Sequence, residues 1–429
     1  MPQNFEISGH LEVKNGHLYV EDTDCVELAE RFGTPLYVSG EHRIRQNIRT
    51  MQKAFPDANL LYAVKANGNV AILRIMAQEG MGADVFSLGE LHLALLARIP
   101  REKILFNGNS KSLQDLKAAV ECGVMVSVDS QMEAEQLSNI AYEHGRNVKI
   151  AIRVNPAISP QTHPKIATGL KSSKFGIPHE QVSGVYGLAS SLPGIAPIGI
   201  HCHIGSQILS TEPFVETIRR VMALVEQINE MGIELEFVDI GSGLGISYDK
   251  MTPAPTPYEL ASAVLPIFEQ ECERIGVSPT LVLEPGRYVV ADSTVMLTRV
   301  NTIKHAYVSF VGVDAGFNML VRPAMYGAHH HVVVANRADA PLEREYTIVG
   351  PICESGDILA RDMQLPSVRA GDVLAVLDAG AYGFSMSSQY NGRPRGAEVL
   401  VSGSRAELIR KPEGVDDLLA NQLLPERLL

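Results

Sequence analysis

Leu60-Leu61-Tyr62-Ala63-Val64-Lys65-Ala66-Asn67-Gly68-Asn69 runs from five apolar residues through a lysine into a turn. A segment that short, bounded by Asn-Gly-Asn, reads as a buried strand, and it leaves Lys65 at the strand's C-terminal mouth. Burial disfavours an ammonium unless it is paired or used chemically. Lys65 is therefore either a strand-end lysine whose stem packs while its head reaches water, or a reactive amine able to act as a nucleophile or Schiff base. The other strand ends decide between the two.

Seven more short apolar or β-branched runs follow: Ala83 to Phe86, Lys103 to Phe106, Met125 to Val128, Val148 to Val154, Pro197 to His201, Leu235 to Ile240 and Thr280 to Leu283. Helix-length amphipathic segments fill the gaps, among them Val70 to Gln78, Leu88 to Ala97, Leu113 to Glu121, Met132 to His144, Phe214 to Met231 and Tyr258 to Ile275. Eight strands alternating with helices over about 225 residues predict an α/β fold, a (β/α)8 TIM-like barrel. The competing doubly wound open sheet usually has fewer strands and often a glycine-rich first turn, which this chain lacks. A barrel carries its chemistry at the C-terminal ends of its strands. Those ends hold Lys65, Asp84 with Ser87, Asn107, Asp129, Arg153 with Asn155, His203 with Ser206, Gly241-Ser242-Gly243, and Glu284 with Arg287. Any one of them is ordinary for a loop, but eight that converge form a site.

Beyond Arg287 helical periodicity gives way to strand-like runs: Tyr288 to Val290, Val295 to Ile303, Phe310 to Val313, His331 to Ala335, Tyr346 to Val349, Val373 to Leu377 and Glu398 to Ser402. They predict a second, mostly β domain, a sandwich or β-barrel. The hairpin of His10 to Val13 and His17 to Val20 turns at Asn15-Gly16 and, marginal alone in water, is expected to join it. Asp24 caps a helix to about Arg31, Leu36 to Val38 is a strand, and Val415 to Leu423 is a last helix. The expected division is a barrel over 36–286 and a β domain made of 1–35 plus 287–429.

The 429 residues carry 37 Lys plus Arg against 49 Asp plus Glu, and a net charge of -12 argues against nucleic acid or an anionic membrane as partner. A small molecule fits better. No apolar leader-like run opens the chain, and nowhere do about 18 uninterrupted apolar residues suggest a membrane span. Cys25, Cys122, Cys202, Cys272 and Cys353 are odd in number and lack CxxC spacing, which speaks against a disulfide framework or a structural zinc site and for a cytoplasmic location.

Asp239-Ile240-Gly241-Ser242-Gly243-Leu244-Gly245 closes a strand with a glycine-rich turn, either an anion-binding nest of backbone N–H groups or a tight turn needing positive φ. His201-Cys202-His203-Ile204-Gly205-Ser206 ends the strand before it, and late-strand loops are where barrels commonly hold phosphate. His-x-His on a strand points both rings to one face. Further ligands at fitting spacing are not apparent, nor near His329-His330-His331, so no metal is expected and an imidazole here could stack on a flat cofactor. Glu284 needs a cationic or hydrogen-bonded partner: a pyridinium nitrogen, or a salt bridge to Arg153 or Arg287. Amine, phosphate nest and carboxylate together suggest pyridoxal 5'-phosphate.

Tyr62-Ala63-Val64-Lys65-Ala66-Asn67, the His201 to Gln207 stretch, Glu284-Pro285-Gly286-Arg287, Arg322-Pro323-Ala324-Met325-Tyr326, Cys353-Glu354-Ser355-Gly356-Asp357 and Gly380-Ala381-Tyr382-Gly383 resemble the diaminopimelate decarboxylases. These belong to the barrel-type (fold type III) pyridoxal phosphate decarboxylases that include eukaryotic ornithine decarboxylase. The resemblance implies decarboxylation of meso-2,6-diaminopimelate to L-lysine and CO2, the last step of lysine biosynthesis. It implies that Lys65 binds the cofactor's aldehyde, His203 stacks on its ring and Glu284 pairs with the ring nitrogen. Ser206, Gly243, Gly286, Arg287 and Tyr382 would hold the phosphate end, with Asp84, Arg153, Gly241 and Ser242 also counted as cofactor-binding. Arg287, Arg322, Tyr326, Glu354 and Tyr382 would bind substrate, and Cys353 would protonate the product from a neighbouring subunit, implying a homodimer with shared active sites. Two arginines also suit a substrate that keeps a second carboxylate. Ser242, Leu88 and His329 depart from the family's pattern.

Overall fold

The structure is a computed structural model that describes residues 7, 9–158, 166, 168–170 and 172–428. Most of the opening stretch read above for a leader lies outside the described residues. The chain forms two compact units. One comprises Arg45–Ser247 and Pro253–Val289, the other Met1–Ile44, Tyr248–Thr252 and Val290–Leu429.

The first unit is a closed parallel barrel of β1 (Asn59–Ala63), β2 (Gly82–Val85), β3 (Ile104–Phe106), β4 (Met125–Val128), β5 (Val148–Asn155), β6 (Ile195–His201), β7 (Phe237–Asp239) and β8 (Thr280–Leu283). Each strand pairs with the next, and β8 returns to β1 through Val282↔Asn59 and Leu283↔Leu60. All eight expected strands are present. Several loops between strand and helix end in a cap: Asn69, Ser87, Ser112, Ser130 and Thr256 each accept a hydrogen bond from the first helical turn, and Ser112 and Thr256 form reciprocal boxes with Asp115 and Glu259. The helix Val182–Ser191 was not anticipated, because its Gly184, Gly187 and serines dilute the helical pattern.

Period-2 alternation lays out the barrel's interior. Leu61, Leu105, Ala151, Phe237 and Val282 form an apolar layer with Met125 and Ile198 against it. Two residues further along β3, β4, β5, β7 and β8, on the same face, come Asn107, Ser127, Arg153, Asp239 and Glu284. The barrel therefore changes from apolar to polar within one repeat of each strand, toward the C-terminal mouth.

In the β unit one long strand, Thr294–His305, organises a nine-stranded sheet. Its first half lies between Leu36–Gly40 and Val373–Val376, and its second half pairs with Ser309–Val313. Both faces are buried: Tyr37, Met296, Val334 and Leu374 enter one core, while Leu36, Val38, Val295, Leu297 and Ala375 enter the other. The strand Leu36–Gly40 thus belongs here and not to the barrel, so the boundary expected at residue 36 falls at 44/45 instead. Tyr248–Thr252 also joins this unit. The run Tyr288 to Val290 is helical, within Arg287–Val290, not a strand. Strands Ile358–Leu365 and Arg405–Arg410 carry too many charges to read as strands from sequence. Among the described residues no helix is long and apolar enough to cross a membrane.

Candidate active site

Past β1 the chain makes a single 3-10 turn, Val64–Ala66, that carries Lys65 into the barrel mouth. Its Nζ donates to Asp84 Oδ2 at the end of β2 and lies 4.4 Å from the centre of the Phe86 ring. Asp84 is fully buried. Burial and then the charge of Glu284 push its carboxyl above the ordinary range, against the pull of Lys65 and Asn107.

Asn107, one residue past β3, reaches two acids with one nitrogen: Nδ2 donates to Asp84 Oδ1 at 2.7 Å and to Glu284 Oε1 at 2.5 Å. Two carboxylate acceptors dictate which end of the amide faces them. Burial would raise Glu284, but the His201 imidazole and the Lys65 ammonium hold its carboxyl below the usual range. His201 Nε2 stands 3.6 Å from Glu284 Oε2, an ion-pair separation longer than a hydrogen bond. Asp239 goes the other way, pushed well above its ordinary value by burial and by Glu284. Two acids in one dry core are driven apart in this manner, Glu284 toward the ionised form and Asp239 toward the protonated one. The sequence offered Arg153 or Arg287 as ionic partners of Glu284. The structure gives it Asn107 and His201, while Arg153 lies 4.5 Å over the Phe175 ring and 3.9 Å from Asp129 Oδ1, and Arg287 donates to Ser206 Oγ at 2.9 Å.

The turn after β7 depends on glycine at two points. Gly241 and Gly243 have φ of +65° and +106°, and a Cβ on Gly243 would stand 2.1 Å from the Gly205 carbonyl oxygen. The turn consequently lies against the stretch after β6, where Ile208 N–H donates to Gly243 O at 2.9 Å. Ser242 between them is buried, and its N–H faces His203 Nδ1 at 3.4 Å. Burial, then the charge of Lys65, push His203 down to about 3, so this ring is neutral at neutral pH. Gly286 is confined to a lesser degree, since a Cβ there would press on those of Ala63 and Ala66 at 3.0 and 3.2 Å.

The β unit holds the remaining candidates in two groups. Arg322 opens the short helix Arg322–Tyr326, is buried, and lies 4.3 Å over the Tyr248 ring. Its Nη1 donates to His330 Nε2 at 2.8 Å, which leaves His330 Nδ1–H to donate to Leu377 O, also at 2.8 Å. Tyr326 and Tyr382 are half-buried, Tyr382 with a φ of +58°. Cys353 and Glu354 are exposed. Asn391 holds Cys353 at two points, accepting from its N–H at 2.9 Å and donating to Sγ at 3.3 Å, and the Tyr390 hydroxyl donates to Glu354 Oε1 at 2.8 Å. Neither Tyr390 nor Asn391 was singled out from sequence, where a Tyr-Asn pair in a loop carries no signal. In the barrel, the sequence marks Asn107 only as a strand end, and His201 only as half of a His-x-His pair for which no metal is expected. Ser127 was hidden in an apolar run, although its inward parity in Met125–Val128 marks it.

The barrel's residues fit pyridoxal phosphate. Asn107 Oδ1, Arg153 Nη1, His201 Nε2 and Asp239 Oδ2 are buried without hydrogen-bond partners, the unsatisfied polar atoms expected where a charged group binds. An amine faces the mouth for an aldehyde, an ionised carboxylate is available for a ring nitrogen, and glycines with Ser206 and Arg287 offer room and donors for a phosphate.

Residues 41–291 match the family described as pyridoxal-dependent decarboxylase, pyridoxal binding domain. The chain is 56% identical over 415 residues to a diaminopimelate decarboxylase of Archaeoglobus fulgidus, covering 97% of this chain and 99% of that one. It is 42% identical to that of Pseudomonas aeruginosa over 424 residues, covering 96% and 99%. The crystal structure of diaminopimelate decarboxylase from M. jannaschii superposes with a TM-score of 0.94 at 40% identity, covering 98% of this chain and 99% of that one, and the same enzyme is known in co-complex with L-lysine at a TM-score of 0.93. With the barrel, the lysine at its mouth and these full-length similarities together, the chain belongs to the diaminopimelate decarboxylase family of the pyridoxal-dependent decarboxylases.

Proposed function

We propose that this chain uses pyridoxal phosphate to remove one carboxylate of meso-2,6-diaminopimelate, releasing CO2 and L-lysine. The observation that carries the reading is the network of partly exposed Lys65 with buried Asp84, Asn107 and Glu284, in which an amine and an ionised acid are joined by hydrogen bonds at the barrel mouth. Bound pyridoxal phosphate supplies the electron sink for the pair left behind by CO2. Lys65 would hold the cofactor through its amine, and Asp84 Oδ2, already bonded to Nζ, is placed to hold the proton of that amine. Glu284 would pair with the ring nitrogen, the neutral His203 ring would pack on the cofactor's face, and Arg153 would add positive charge nearby. Ser206, the Gly241-Ser242-Gly243 turn, Gly286, Arg287 and Tyr382 receive the phosphate.

Arg322 and Arg287, with Tyr326, Tyr382 and Glu354, orient the substrate's distal carboxylate and amine. Support for Arg322 comes from its burial and from His330 and Tyr248, which fix the guanidinium in one pose so that little entropy is lost on binding. Cys353 and Glu354 of a second copy complete the site, so the working enzyme is a homodimer, and the chain acts in the cytoplasm. The test is CO2 release by protein reconstituted with pyridoxal phosphate and offered diaminopimelate, lysine, ornithine or arginine. Release from diaminopimelate alone is expected; release only from another amino acid would move the substrate and leave the cofactor in place.

A further inference from the structure

His201 is not used in that account, yet it is among the most tightly held side chains of the barrel. It is completely buried, it closes β6, and in register it sits between Arg153 of β5 and Asp239 of β7. Ser127 Oγ on β4 is 2.8 Å from its Nδ1, which fixes the rotation of the ring. The opposite nitrogen, Nε2, has no hydrogen-bond partner and points at acids: His201, Asp239 and Glu284 place one atom each within 4.8 Å of one another. Ser127 is itself anchored, since the buried Lys111 ammonium donates to its carbonyl at 2.7 Å and to Glu133 Oε1 at 2.6 Å. A chain of contacts therefore runs from Glu133, on the helix Gln131–Glu143, through Lys111, Ser127 and His201 to Glu284.

Resting on the cofactor reading above, we propose that His201 is a positioning residue for Glu284: gripped by Ser127 at Nδ1, its ring turns Nε2 to the Glu284–Asp239 pair and keeps Glu284, not Asp239, the ionised partner for the cofactor's ring nitrogen. Three acids meet in this core, and the titratable groups facing Glu284 from neighbouring strands are Lys65, Asp84, His201, His203 and Asp239. Of these, His201 is the group whose ring nitrogen stands against Glu284 Oε2, at 3.6 Å, while Asn107 holds the other oxygen, Oε1. Remove His201 and the acids compete on nearly equal terms, so a proton moves onto Glu284 more readily as pH falls.

The test titrates apoprotein with pyridoxal phosphate between pH 6 and 8.5, following the bound cofactor's visible absorbance, for wild type, His201→Phe and Ser127→Ala. The expected result for His201→Phe is a bound-form spectrum that becomes pH-dependent and a cofactor affinity about tenfold weaker at the acid end, one unit of lost proton preference. The KM for diaminopimelate should hardly change while kcat falls. Ser127→Ala, which leaves the imidazole but frees its rotation, should move both readouts in the same direction by less, and it serves if His201→Phe fails to fold. A folded His201→Phe protein, or failing that Ser127→Ala, with the wild-type affinity and pH profile would overturn the inference. Wild-type protein that takes up no pyridoxal phosphate would instead overturn the reading on which it rests.

Discussion

At the scale of single residues, Lys65 and Asn107 show how position turns an ordinary side chain into a functional one. Lys65 is held between a carboxylate and an aromatic face at the end of an apolar strand. Lys65→Ala should abolish both the visible absorbance of bound pyridoxal phosphate and CO2 release; a variant with a normal spectrum would sink the assignment. Arg322 already has its geometry fixed by His330 before any substrate arrives. Arg322→Gln should lower kcat/KM for diaminopimelate by about 10- to 100-fold, mostly through KM, because a charge-assisted contact is worth about 1.5–3 kcal/mol. Unchanged steady-state constants would remove Arg322 from the substrate's path. Of these residues Lys65 was legible from sequence because one lysine interrupts an apolar run. Asn107 was not assigned a role, because an amide after a strand looks the same whether it faces water or two buried acids.

Among the elements, the glycine turn after β7 depends most sharply on single atoms. A Cβ at Gly243 would overlap the Gly205 carbonyl, and its φ lies where other residues are strained. Gly243→Ala should cost about 1–3 kcal/mol in urea unfolding, by backbone strain alone, and weaken pyridoxal phosphate binding with it. Full stability in that variant would show that the two loops are not packed as described. In the β unit, Tyr248–Thr252 is tied to the end of strand Val373–Val376 by Lys250, whose Nζ is 2.7 Å from Asp378 Oδ2. Burial pushes Asp378 up to about 6 even so. A raised carboxyl means that the folded state binds the proton more readily than the unfolded one, so this group's contribution grows more favourable as pH falls from about 6 toward 4. Asp378 has a φ of +56°, which asparagine tolerates. Asp378→Asn should therefore stabilise by up to about 3 kcal/mol at pH 7.5 and by little at pH 4, as read by urea unfolding at both; an equal effect at both pH values would reject it.

For the whole molecule, the question is how many copies make a site. If Cys353 and Glu354 of one copy serve the Lys65 of another, Lys65→Ala and Cys353→Ala proteins, each inactive alone, should regain about a quarter of wild-type activity when unfolded and refolded together. Half the dimers are then mixed, and each mixed dimer has one intact site of two. No recovery, with mixed dimers verified by tagged subunits, would place both residues in one chain's own site.

The sequence by itself determined the barrel and the amine at its mouth. Eight apolar runs spaced by helical segments admit few other parallel closures, and the polar residue after each run marks the end where the chemistry lies. It also showed that a β domain follows. Only the tertiary structure decided that Leu36–Gly40 crosses into that domain, because a five-residue buried strand reads alike in either sheet and its owner is set by pairing with Thr294–His305 and Ala397–Ser402. The charge state of the site was likewise out of reach. Asp84, Asp239 and Glu284 are three similar acids in the sequence, separated by 155 and 45 positions. What distinguishes them is which has Lys65, which has the Gly241 N–H and which has Asn107 and His201 beside it, and those neighbours are brought together only when the barrel closes.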